Sequence, residues 1–92
     1  MLFEWDDSKA ARNIAKHGVP FEYAVRVFLD PHRLDREDNR RDYGEERWLT
    51  LGRVEGRLFA VAHSPRGKVI RMISARKANE REQRKYDETL ST

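Results

Sequence analysis

Two apolar runs, Leu58-Phe59-Ala60-Val61-Ala62 and Val69-Ile70-Arg71-Met72-Ile73, constrain this chain more than any other feature. Runs this dense read as strands inside a sheet, partly covered on both faces. Ser64-Pro65-Arg66-Gly67 between them reads as a turn. The expected strands are therefore Arg57–His63 and Lys68–Ala75. A third strand, Glu46–Val54, precedes them across the tight turn Glu55-Gly56.

The rest of the chain must cover that sheet. Leu2-Phe3-Glu4-Trp5 alternates enough for a short first strand. Asp6 and Asp7 offer N-cap side chains to a helix over Ser8 to His17, and Gly18 supplies its left-handed stop. Ala10, Ala11, Ile14 and Ala15 form its expected apolar stripe, with Lys9, Asn13 and Lys16 as a solvent-facing polar stripe. Pro20 suits the first turn of a second helix, in which Phe21, Ala24, Val25 and Phe28 fall at core-facing spacing before Asp30-Pro31 closes it. Residues 32–46 are almost wholly polar, giving a weak edge strand near Arg33–Glu37 and then a mobile loop. Asn79 and Glu82 have the spacing of a capping box, opening a last helix to about Leu90 with only Tyr86 and Leu90 to bury beside Gln83. The expected fold is α+β, in the order β-α-α-β-β-β-β-α, with an antiparallel meander sheet and helices mostly on one face. The other face would stay partly open for a ligand.

Ninety-two residues make one compact domain, 1–92, with one thin core. No cysteine is present, which excludes disulfides and thiolate metal sites. The amino terminus lacks the pattern of a signal peptide and no run is apolar enough to span a bilayer, so the expectation is a cytoplasmic protein without membrane contact. The net charge of +3 conceals an asymmetry: residues 1–46 carry eight Lys/Arg against eleven Asp/Glu, and residues 47–92 eleven against five. The second half is thus suited to a polyanion or an acidic protein partner.

No hydrolase triad, phosphate loop or dinucleotide fingerprint is present, and His17, His32 and His63 are scattered without metal-ligand spacing. What remains is a basic tract. Arg66, Lys68, Arg71, Arg76, Lys77, Arg81, Arg84 and Lys85 face only Glu80 and Glu82 within it. Guanidinium groups suit phosphate, while Tyr43, Trp48 and Tyr86 could stack unpaired bases. Arg71 is the sharpest of these, a charge inside an apolar strand, with Val69 and Ile73 expected on its own face. It must either pair with an acid, Glu46 or Glu4, or point into an open groove. Arg76 has opposite parity to Arg71. The two can serve one site only if Arg76 reaches round the strand end or a bulge intervenes. His63 closes the neighbouring strand and could exchange a proton near neutral pH. Glu82 and Tyr86 share a helix face at i, i+4. Each of these residues also has a plainer structural duty open to it.

Several separated motifs resemble the BrnT toxin family. They begin with Phe3-Glu4-Trp5-Asp6, Lys9, Asn13 and Lys16-His17-Gly18-Val19, and continue with Phe21, Ala24, Val27-Phe28 and Asp30-Pro31. Glu45-Glu46-Arg47 before Gly52, then Ile70-Arg71-Met72-Ile73-Ser74-Ala75-Arg76-Lys77-Ala78, with Glu82 and Tyr86 after it, complete the pattern. Met72 stands where the family often carries Ile or another aliphatic residue. The resemblance implies a RelE-like fold and ribonuclease activity without metal or cofactor. It also implies a cognate BrnA antitoxin whose ribbon-helix-helix part binds operator DNA, so that the complex represses its own operon. On this reading Arg71 and Arg76 stabilise charge at the scissile phosphate, and His63, Glu82 and Tyr86 are the acid–base candidates. Arg66, Lys68, Lys77 and Arg81 hold flanking phosphates of the RNA, and Trp48 stacks a base. The rival expectations are a non-catalytic RNA- or DNA-binding module and a decayed toxin homologue.

Overall fold

A computed structural model describes residues 1–91. Strand β1 (Leu2–Glu4) leads to helix α1 (Asp7–His17) and helix α2 (Phe21–Ala24), which runs on as a 3-10 helix over Val25–Leu29. Strands β2 (Leu34–Glu37), β3 (Trp48–Val54), β4 (Arg57–Arg66) and β5 (Val69–Lys77) come next, then helix α3 (Glu80–Leu90). The five strands form one sheet in the order β1-β5-β4-β3-β2. β2 to β5 are the expected antiparallel meander, whereas β1 lies parallel to β5, Leu2 opposite Val69 and Glu4 opposite Arg71. The chain reaches β2 only after α1 and α2, so β1 is free to pair on the far edge.

Local chemistry sets most boundaries. The Asp6 carboxylate accepts from the backbone N–H groups of Ser8 and Lys9, bonds that hold it below the usual carboxylate range. Gly18 ends α1 at φ 72°, and Glu55-Gly56 turns β3 into β4 with both residues at positive φ, as a type I′ hairpin demands. Asn79 and Glu82 form the expected capping box.

Four expectations are corrected. β4 runs through Pro65 to Arg66, because β3 ends opposite His63 and the strand beyond has one neighbour only, where proline is tolerated. The tighter 3-10 winding after Ala24 brings Val27, rather than Val25, fully into the core at i+3. On α1, Asn13 is buried while Ile14 is 47% exposed, so the polar stripe is not all solvent-facing. Leu90, expected to be covered, is 40% exposed.

The helices divide between the two faces. On one, α1 and α2 cover Val54, Phe59, Val61, Met72 and Ala75 with Val19, Phe21, Ala24, Val27 and Phe28. Gly52 is bare because Val27 lies against it: a Cβ there would meet Val27 at 2.8 Å. On the other face α3 packs Tyr86 onto Leu49, Leu51, Leu58 and Ala60. This second cluster sits over β3 and β4, leaving the β5 side of that face outside the helix.

Candidate nucleic-acid interface

Register decides which charges meet. β4 pairs Ala62 with Ser74 but His63 with Met72, so Ile73 has no partner and forms a bulge. That extra residue reverses the parity of Arg76 relative to Arg71. Arg71, opposite Ser64, and Arg76, opposite Ala60, therefore stand on the same face of the sheet, the α3 face. Ile73 leaves the alternation, and Ser74 becomes the face-mate of the two arginines.

Further arginines share this face. Arg36 is opposite Leu49, Arg47 and Arg53 alternate with the inward residues of β3, and Arg66 ends β4 on the same side as Ala62 and Ser64. The Arg53 guanidinium stacks over the Tyr86 ring at 4.9 Å, and Arg47 over Tyr43 at 3.9 Å. Arg40 lies near enough to repel Arg76, and Arg36 to favour ionised Glu82. Arg36 and Arg40 were not singled out by sequence reasoning, and Arg47 only as part of the Glu45-Glu46-Arg47 motif. Their signal was available in the alternation of β2 and β3, which points Arg36 and Arg47 to the face shared by Leu34, Leu49 and Leu51.

Carboxylates temper the field. Arg76 donates both guanidinium NH₂ groups to Glu82, Nη1 to Oε1 at 2.8 Å and Nη2 to Oε2 at 3.0 Å. The pairing raises the Arg76 pKa and, with the Asn79 N–H, holds the Glu82 carboxyl below its usual range despite partial burial. Arg71 is held more loosely, its Nη1 3.5 Å from Glu4 Oε2, across the β1–β5 pairing. Arg66 and Arg47 flank Glu45 at 3.2 and 3.8 Å. Arg71 and Arg76 are both half-buried, their side chains being 26% and 35% exposed. The face is an array of paired arginines; one surface cavity touches its margin at Arg53, beside Asp30, and another lies elsewhere, around His17, Tyr23 and Phe59.

The polar segment before β3 borders this face. Asp38 receives Arg40 Nε at 2.9 Å, a bond that lowers its pKa to about 2, and Asp38 N–H donates to the Arg47 carbonyl. Ser64 donates its hydroxyl to the Glu46 carbonyl.

The remaining candidates are dispersed. His63 lies on the opposite face, 8% exposed, its ring edge-on to Phe28 at 5.0 Å. Its Nε2 meets Thr50 Oγ1 at 2.7 Å, and that hydroxyl also donates to Asp35. Burial pushes the imidazole below the ordinary histidine range, against a raising pull from Asp35. Trp48 is paired with His63 in the sheet and donates Nε1 to Glu46 at 2.6 Å. Lys77 also points to the α1–α2 face, opposite Phe59. Tyr86 is buried in the second core cluster and donates its hydroxyl to Asp30 at 2.6 Å; burial first, and that bond second, push its pKa up to about 12. Lys68 is exposed in the β4–β5 turn and Arg81 on the first turn of α3. Among the described residues no three His, Asp or Glu side chains converge as a metal site, and no helix is long and apolar enough to cross a membrane.

A family model described as "Ribonuclease toxin, BrnT, of type II toxin-antitoxin system" matches residues 5–82. No curated protein matches the chain.

Proposed function

The chain belongs to the BrnT family of type II toxin–antitoxin ribonuclease toxins, and from that membership, which implies an RNA target and an antitoxin partner, we propose that residues 1–92 act as one RelE-like toxin domain cutting RNA on the arginine face. The observation that carries this reading is the bulge at Ile73, which brings Arg71 and Arg76 onto one face of the sheet.

Cleavage begins with attack of a substrate 2′-oxygen on the adjacent phosphorus. The P–O5′ bond breaks, leaving a 2′,3′-cyclic phosphate and a 5′-hydroxyl. An incoming phosphate competes with Glu82 for the Arg76 fork, since the guanidinium is a bidentate donor to either. Arg76 and Arg71 then stabilise the charge that grows on the phosphoryl oxygens. The displaced Glu82 carboxylate, ionised beforehand, takes the 2′-hydroxyl proton, and the departing 5′-oxygen takes a proton from water. His63 and Tyr86 are left out of this step because one is across the sheet and the other buried against Asp30. No metal is needed for the route. Arg66, Lys68 and Arg81 hold flanking phosphates. The partner is a BrnA-type antitoxin whose ribbon-helix-helix part carries the complex to operator DNA, and the setting is the cytoplasm, where RNA cleavage inhibits translation and arrests growth.

The Arg71–Glu4 and Arg76–Glu82 pairs favour one rival, a decayed or purely RNA-binding homologue in which the arginines only brace the fold. Incubating the purified chain with labelled single-stranded RNA in EDTA separates the readings. Wild type should give discrete cuts ending in cyclic phosphate. Arg76→Ala and Arg71→Ala should each cut about 10²-fold more slowly while still folded, the usual loss when one charge-stabilising donor is removed. Binding without cuts by wild type would leave the rival standing.

A further inference from the structure

On the α1–α2 face, at the end of the sheet, lies a cavity of about 440 Å³ lined by His17, Val19, Pro20, Tyr23, Arg57 and Lys77 with Phe59. It is within the size range of small-ligand sites. Its floor is aromatic, Tyr23 standing edge-on to Phe59 with ring centroids 5.6 Å apart. Its rim is basic, and the register explains why. Lys77 is directly opposite Phe59, and Arg57 is two residues before Phe59, so the two cations are diagonal neighbours on one face of adjacent strands.

Such a like-charge pair is unfavourable unless something compensates it. Arg71 and Arg76 each have a carboxylate within 4.0 Å, but among the described residues neither Arg57, Lys77 nor His17 has one. Glu55, the nearest acid in sequence, meets Arg26 at 3.2 Å and borders the cavity at Tyr23, whose hydroxyl pKa is raised by burial first and by Glu55 second. The end of α1 contributes about half a negative charge near His17, which two full cations outweigh. With Glu55 shared with Arg26, the cavity keeps an excess of positive charge beside an aromatic and prolyl wall, the two halves of a nucleotide's chemistry.

We propose that this cavity is a subsite for one nucleotide of the RNA substrate, its phosphate held by Arg57 and Lys77 and its base laid against Tyr23 and Pro20. The assignment rests on the ribonuclease reading above and extends it to the other side of the sheet. Arg76 and Lys77 are consecutive residues on opposite faces at the end of β5. β1 covers β5 only from Val69 to Arg71, so no strand walls off the edge between them. An RNA backbone held at Arg76 reaches the cavity by rounding the strand end beyond Ala75, the residue at which Asn13 caps the edge.

The test is equilibrium binding of a 2′-O-methyl RNA octamer, which cannot be cut, to wild type and to the Arg57→Gln/Lys77→Gln double variant across a salt series. Both side chains are exposed, and a melting curve checks that the variant is folded. The expected result is at least about fivefold weaker binding at low salt and a log–log salt slope shallower by about 0.7, as when one backbone phosphate is no longer neutralised. An unchanged slope and affinity, with wild type binding and cutting RNA normally, overturns the subsite and leaves the ribonuclease reading intact. Wild type that neither binds nor cuts RNA overturns both. A 5′-mononucleotide that binds wild type as tightly as the octamer makes the cavity a free-nucleotide pocket and overturns the substrate assignment. So does a double variant that keeps RNA binding but escapes neutralisation, which would give the cavity to an acidic side chain of the antitoxin.

Discussion

The side-chain amide of Asn13 makes both hydrogen bonds to Ala75 that a neighbouring strand would make: Nδ2 donates to the Ala75 carbonyl at 2.8 Å, and Oδ1 accepts from the Ala75 N–H at 3.0 Å. β1 pairs with β5 only as far as Arg71, so the edge at Ala75 needs this substitute. Nδ2 also donates to the Val19 carbonyl at 2.8 Å, fixing the chain just after α1. The residue thus sets the approach of α1 to the sheet, in a place where two charged side chains, Arg76 and Lys77, come directly after.

Asn13→Ala should lower unfolding stability by at least about 2 kcal/mol, since each buried polar group left unpaired costs about 1–3 kcal/mol. Asn13→Asp should be worse at neutral pH, because a carboxylate would face two carbonyl oxygens with nothing to donate. A carboxyl so placed has a raised folded pKa, so the Asp variant should regain stability as pH falls through the acid range and its carboxyl gains a donor. Urea denaturation at pH 7 and pH 4 measures both. An Asp variant equal to wild type at pH 7 would show that the amide contacts are dispensable.

Tyr86 and Asp30 join the α3 layer to the end of the 3-10 helix. β2 covers β3 only from Trp48 to Leu51, and the Asp30 carboxylate takes the exposed edge beyond it, accepting from the Arg53 N–H at 2.8 Å and from Tyr86. Burial alone would raise the Asp30 pKa, but the Tyr86 hydroxyl and the Arg53 and His32 N–H groups outweigh it and lower it. Tyr86→Phe keeps the packing and removes one bond to a charged acceptor, so it should cost about 1.5–3 kcal/mol. With its hydroxyl out of the reaction, the folded variant should cut RNA within a few-fold of wild type. A loss of about 10²-fold in cleavage with unchanged melting would return Tyr86 to the acid–base candidates.

Much of the fold was legible because it is decided locally. Asp6, Gly18, Glu55-Gly56 and the Asn79–Glu82 box each act on groups within a few residues, and each lies where the sequence pattern put it. Arg71 was legible as a charge needing a partner, and Glu4 was one of the two acids weighed. The rest is non-local. Nothing around Ile73 announces that its place in the ladder will be skipped, yet that one residue decides whether Arg71 and Arg76 share a face. Asn13 reads as a surface polar residue until the open edge of β5 is seen. His63 has the parity of Phe59 and Val61, a signal for the inward side, yet it read as a strand-end acid or base. Which of the two faces would carry the arginines depended on where α1 and α3 settled.

His63 gives the sharpest dependence on pH. Its imidazole is packed against Phe28 and bonded to Thr50, which in turn donates to Asp35, so Nε2 carries the hydrogen of the His63–Thr50 bond. Burial disfavours the second proton and lowers the folded pKa below the unfolded value of about 6.5. Between those two values the unfolded chain binds more protons than the folded one, and stability therefore rises with pH. The contribution is complete above the unfolded pKa and is lost as pH falls from about 6.5 toward the folded value. The lowered carboxyl pKa values of Asp6, Asp30, Asp38 and Glu82 act in a separate window, below about pH 4.5. Gln in place of His63 can keep a donor toward Thr50 without titrating. Wild type should therefore lose stability between pH 7 and pH 5 more steeply than His63→Gln, the two curves converging as the pH drops. Chemical denaturation at half-unit pH steps reads the difference directly. Parallel curves across that interval would mean that the imidazole is not held neutral by the fold.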